Sequence, residues 1–104
     1  EDAGKVTQEV SQEKKGKLLF FMNPHGRPSQ MQDELLEKNK NHIGDKTTIK
    51  YIKTSVPADR QSFYQYGVRG LPMMILLNED GSVAKRFAPG IRTVDEISNE
   101  IKKL

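Results

Sequence analysis

With 104 residues, 17 basic and 14 acidic side chains and no cysteine, the chain has room for one domain with one modest core. Its mean hydropathy of -0.71 is low for a globular domain, yet the 35% of apolar residues arrive in blocks, which argues against disorder. The net charge of +3 is spread along the chain rather than gathered into a nucleic-acid footprint, and without cysteine no disulfide framework, thiolate zinc site or thiol nucleophile is possible.

Residues 1–16 are polar, with Val6 and Val10 as the main apolar anchors, and fit a frayed arm, a short strand or an amphipathic turn equally. Residues 17–104 form the expected domain. Lys17 to Met22 is a continuous apolar block bounded by Gly16 and Pro24, as expected of a strand covered on both faces. At this length it is far too short to span a bilayer. Asn23 to Ser29 reads as a loop from its Pro and Gly content. Gln30 to His42 then reads as a helix, with Met31, Leu35 and Leu36 as its core stripe and Gly44 as its stop.

Thr47 to Ile52 is β-branched and aromatic, a second core strand. Pro57 and Ala58 open a short helix over Asp59 to Tyr66, ended by Gly67. Pro72 to Leu77 is the third strand; Asn78-Glu79-Asp80-Gly81 is a turn, and Ser82 to Phe87 the strand paired back across it. Thr93-Val94-Asp95-Glu96 is a capping box opening a helix with Val94, Ile97, Ile101 and Leu104 on one stripe. The order β-α-β-α-β-β-α gives parallel pairing through crossovers in the first half and a hairpin in the second. An α/β domain with a mixed sheet and helices on both faces follows.

Two stretches give this order a specific resemblance. Tyr66-Gly67-Val68-Arg69-Gly70-Leu71-Pro72, followed by an apolar strand and Asn78-Glu79-Asp80-Gly81, resembles the Tyr-Gly-Ile-Arg-Gly-Ile-Pro stretch and hairpin of the thioredoxin-like family. Gly26-Arg27-Pro28-Ser29-Gln30-Met31 sits where that family has Cys-Gly-Pro-Cys-Lys-Met, between the first apolar strand and the long helix. The resemblance implies a thioredoxin-like fold over about residues 17–104. It places the family's nucleophilic cysteine on Gly26, its resolving cysteine on Ser29, its buried carboxylate on Phe20 and its tryptophan on His25. Exchange needs an attacking thiolate and a resolving thiol. The chain has neither, so dithiol oxidoreduction is excluded for it and no catalytic residue is assigned.

The resemblance also implies that Pro72 follows a cis bond and that Gly70, Leu71 and Pro72 wall a shallow groove opposite Gly26, Arg27, Pro28 and Ser29, with Gly90 beside them. An extended peptide would be held there by backbone hydrogen bonds, as in strand addition. The expected function is a non-catalytic protein- or peptide-binding module. The alternative is a thiol–disulfide oxidoreductase of redox homeostasis whose chain is a cysteine-substituted or naturally single-thiol variant. Partners are then proteins or extended peptide segments, with no nucleic acid, membrane, cofactor or metal, and the chain is expected to be a monomer. Ser29 with His25 four residues before and Asp33 four after invites a nucleophile–base reading. No Gly-x-Ser-x-Gly elbow accompanies it, and a serine near a helix start is a favoured cap. His25 and His42 lack metal-ligand spacing. Arg27, Arg69 and Arg92 either ring the site and favour an acidic partner or are scattered surface arginines. A first residue of Glu1 fits a trimmed chain or one that has lost a signal peptide, so periplasmic, secreted and cytoplasmic locations all stay open.

Overall fold

The computed structural model describes residues 14–44 and 46–104. The N-terminal arm expected over 1–16 lies outside the described residues except for its last three positions, and Gly16 already belongs to the first strand. The elements are β1 (Gly16–Met22), α1 (Arg27–Lys38), α2 (Lys40–Ile43), β2 (Thr47–Lys53), a 3-10 turn (Pro57–Asp59), α3 (Arg60–Gln65), β3 (Met73–Asn78), β4 (Val83–Arg86) and α4 (Val94–Lys102). The strands form one sheet in the order β2-β1-β3-β4. β1 pairs parallel to β2, from Gly16 opposite Thr47 to Met22 opposite Lys53. It pairs antiparallel to β3, with Phe21 opposite Met73, and β3 pairs antiparallel to β4 across the Asn78–Ser82 turn.

The apolar block of β1 is continuous because both faces of the sheet are covered. Leu18, Phe20 and Met22 face one core with Leu36 of α1, Ile43 of α2, and Ile97 and Ile101 of α4. Leu19 and Phe21 face the other, where Phe63 of α3 and Tyr66 pack edge-on against Phe21 at 5.2 and 5.9 Å. Full burial of each such side chain stabilises the fold by roughly 1.5–3 kcal/mol. Phe20 is fully buried and meets the Tyr51 ring edge-on at 5.5 Å, so the position the resemblance gives to a carboxylate is apolar interior.

The long helix departs from its expected form. It starts at Arg27, three residues early, because Pro28 in the first turn needs no N–H and brings a helical φ. It breaks at Asn39, whose side-chain amide donates to the Leu35 carbonyl at 2.9 Å, and only the single turn α2 continues to Gly44. Its buried face is Ser29, Gln32 and Leu36, which turns Met31 outward to 45% exposure. The expected Met31 core position is therefore wrong. Apolar spacing alone did not register that two polar side chains occupy the inner stripe. The capping box is present in both halves: Glu96 N–H donates to Thr93 Oγ1 at 3.1 Å, and Thr93 N–H to Glu96 Oε1 at 2.8 Å.

Candidate functional site

The C-terminal ends of β1, β2 and β4 and the N-terminal end of β3 lie at one end of the sheet. The loops that leave them therefore converge. After β1 the chain turns at Asn23-Pro24, and Asn23 organises the turn from both its backbone and its side chain. Its carbonyl accepts from Gly26 N–H at 2.9 Å, and its Oδ1 accepts from His25 N–H at 3.0 Å and from the Thr54 hydroxyl at 3.3 Å. Its own N–H donates to Ser29 Oγ at 3.1 Å.

That last bond settles the role of Ser29. The helix N-cap is Gly26 in extended backbone, not Ser29, which is the third residue of α1 and only 2% exposed. Its hydroxyl closes the loop below it and presents nothing to solvent. His25 is exposed, so the spacing His25–Ser29–Asp33 does not become a nucleophile and its base. A Cβ built on Gly26 would have its nearest neighbour in Asn23, at 3.4 Å, an ordinary van der Waals contact. The backbone therefore does not impose glycine where the resemblance places a cysteine. Among the described residues no three His, Asp or Glu side chains come together in a cluster that could hold a metal ion.

On the facing side, the Leu71–Pro72 bond is cis. The Pro72 carbonyl accepts from Gly90 N–H at 2.8 Å, and Gly90 has a φ of +116°, a conformation that disfavours any side chain. Leu71 packs its side chain against the α3-side core. Among the described residues, the N–H and C=O of Leu71 have no hydrogen-bond partner, nor have those of Arg69 and Gly70. A segment that is half-buried at Gly70 and Leu71 thus carries unused main-chain groups next to Pro72.

Gln32 joins the two sides. It is fully buried in α1, its Oε1 accepts from Arg92 N–H at 2.6 Å, and its Nε2 donates to the Arg92 carbonyl at 3.1 Å. Both main-chain groups of Arg92 are satisfied by this one amide, which ties the 87–93 loop to α1 while Gly90 ties it to Pro72. The expected residues divide accordingly. Arg27 and Pro28 are exposed, Gly26, Gly70, Leu71 and Gly90 are half-buried, and Ser29 and Pro72 are buried. No hydrogen bond runs directly between Gly26–Ser29 and Gly70–Pro72; they are held in one arrangement through Gln32, Arg92 and Gly90. Gln32 and Asn23 were missed in the sequence. The Asn-Pro dipeptide carried a turn signal for Asn23, whereas a glutamine inside a helix carries none.

Hollows on the surface do not single out this groove. One of about 500 Å³, lined by Lys14, Lys40, Gly44 and Thr47, lies toward the opposite end of β2, and one of about 340 Å³ beside the site is lined by Arg69, Met73, Arg86, Phe87 and Pro89. A shallow edge that pairs main chain to main chain does not require a deep cavity.

A four-stranded mixed sheet covered on both faces, with a cis-proline segment facing the start of a long helix, defines an α/β domain of the thioredoxin-like fold. Solved structures bear this out. Thioredoxin-2, described as a component of malaria parasite protein secretion machinery, superposes with a TM-score of 0.75 at 18% identity over 86% of this chain and 84% of its own. Chloroplastic thioredoxin z gives a TM-score of 0.69 at 12% identity, over 97% of this chain and 88% of its own. A chain from the structural work on thiol resolving in yeast mitochondrial 1-Cys peroxiredoxin via the glutathione and thioredoxin systems gives 0.70 at 17%, over 96% and 89%. No protein-family model matches the sequence, and no curated protein matches it. The likeness is one of fold: a thioredoxin-like domain without cysteine.

Proposed function

We propose that this domain is a non-catalytic binding module that captures an extended peptide segment along the main chain of Gly70-Leu71-Pro72. The observation that carries the reading is the free N–H and C=O of Leu71, left without partners among the described residues on a segment fixed from both sides. Strand-like pairing gives affinity through such groups without covalent chemistry. The absence of cysteine supports the same reading, since the chain has no atom that could form a mixed disulfide.

The test is an amide-resolved NMR titration of the labelled chain with extended peptides. Shifts are expected to cluster at Arg27, Ser29, Gly70, Leu71 and Gly90. Shifts confined to an outer helix face, or none, would overturn the reading. In parallel, insulin reduction with dithiothreitol is expected to run at the dithiothreitol-only rate. A faster rate would place redox chemistry in a chain that has no thiol.

A further inference from the structure

We infer that the segment taken by the groove is acidic, an extended stretch with Asp or Glu beside the residue that pairs with Leu71. This rests on the capture reading above and adds the chemistry of the partner. Segments 23–29, 54–58, 66–72 and 87–92 meet at the site end of the sheet, and they contain Arg27, Arg69 and Arg92 but no Asp or Glu. Arg86 closes β4 beside them.

The arginines are not equivalent. Arg27 and Arg69 are exposed, and among the described residues neither pairs with a carboxylate. Arg86 is exposed and donates to the Tyr66 and Gly67 carbonyls at 2.6 and 3.3 Å, which fixes its guanidinium beside the segment leading to Pro72 while leaving its charge uncompensated. Arg92 is already engaged, 3.6 Å from Glu96. Of the bordering carboxylates, Asp59 is occupied by the Lys53 amide and Glu96 by the Thr93 amide; Asp95 lies past the loop in the first turn of α4.

Three arginines without a carboxylate partner among the described residues thus lie on the segments that meet at this end of the sheet, with the free main-chain edge among them. Each can hold a carboxylate through two parallel N–H···O bonds, and together they attract negative charge to the mouth of the groove. A nucleic-acid strand would meet the same charge, but single-strand binding uses exposed aromatic platforms. The aromatic rings of these segments, Tyr66 and Phe87, are instead packed into the two cores. The free N–H of Leu71 suits a phosphate as well as a peptide, but the free C=O beside it suits only a donor such as a peptide N–H.

The test compares two peptides of equal length, one with Glu flanking the central residue and one with Gln, titrated into the labelled chain. Both are expected to shift Gly70 and Leu71. The Glu peptide should bind about tenfold more tightly at low salt, the sum of a few exposed ion pairs. The preference should collapse at about 0.5 M salt, where charges are screened within a few ångströms. Exchanging both Arg27→Gln and Arg69→Gln, at exposed positions, should cut the preference to about threefold or less, the share left to Arg86, and an undiminished preference would overturn the proposal. Equal binding of the two peptides would overturn the acidic partner while leaving peptide capture standing. No shift at Leu71 with either would overturn both. A single-stranded oligonucleotide that binds more tightly than the Glu peptide, without moving Leu71, would overturn the proposal in favour of phosphate recognition.

Discussion

The β3–β4 turn and the site end of the sheet are closed by different kinds of bond. At the β3–β4 end the turn is made by its own residues. Gly81 N–H reaches the Asn78 carbonyl at 3.0 Å, Ser82 donates to Asp80 from both its amide and its hydroxyl, and Asn78 Nδ2 reaches Ser82 Oγ. Everything lies within five residues, and Gly81 supplies the φ of +92° that the turn requires. At the site end, beyond the local bonds of the Asn23 turn, bonds join distant segments: Asn23 to Thr54 across 31 positions, Arg86 to Tyr66 across 20, and Gln32 to Arg92 across 60. A local turn stands whatever the rest of the chain does. The site end exists only when the whole sheet is assembled, and it then holds loops in a fixed relation with main-chain groups left over for a partner. A preordered edge loses less entropy on binding than a mobile one.

The largest effect is expected from the layer beneath the site end. Phe20→Asp replaces a fully buried ring with a carboxylate that has no counter-charge among its apolar neighbours. It should cost on the order of 2–4 kcal/mol, from lost packing and an unpaired buried polar group. Urea denaturation reads this directly, and an unchanged midpoint would mean that Phe20 does not carry the packing of this layer. Next comes the clamp. Gln32→Ala leaves the N–H and C=O of Arg92 without partners and should cost about 1–3 kcal/mol. The comparison is sharpened by where protection from hydrogen exchange is lost: Arg92 and Gly90 should exchange faster while Gly81 and Ser82 do not change. Uniform loss at both ends would show that Gln32 is only a core residue.

The same division explains what was legible in the sequence. The hairpin turn, the Thr93–Glu96 box and the β1 block could be read because each is a local pattern whose causes lie within a few residues. The thioredoxin-like order followed from these, helped by the stretch around Pro72. Met31 was misplaced and Ser29 misread as a cap because the inner face of α1 is polar, and only the partners Asn23 and Arg92 make that burial affordable. Neither partner is visible from the helix itself. Gln32 carries the arrangement of the site and has no local signature. What holds distant loops together is written in no single stretch of the chain.

The smallest effect is also the most direct comparison of the two ends, because each carries one carboxylate held below its ordinary pKa. Hydrogen bonds from the Ser82 side chain and amide lower Asp80 from 3.8. The Thr93 amide, with the Thr93 hydroxyl and the Arg92 charge adding to it, lowers Glu96 from 4.5. A carboxylate with a depressed folded-state pKa contributes stability that is present above its unfolded value and is lost as pH falls through the folded one. Both contributions therefore disappear on acidification below about pH 4. Both groups are exposed, so the global loss is small and the informative readout is local. Protonating Asp80 frees only Ser82, and its NMR titration should be felt between Asn78 and Ser82 alone. Protonating Glu96 frees Thr93 and weakens the hold on Arg92, whose backbone is bonded to Gln32 in α1. The side-chain amide of Gln32 should then shift with the midpoint of Glu96, through its bond to Arg92 across 60 positions of sequence. A Gln32 amide indifferent to that midpoint, or one that follows Asp80, would break the distinction between the two ends. Glu96→Gln, which keeps an acceptor for the Thr93 amide but cannot titrate, should abolish the Gln32 response and leave the Asp80 titration untouched.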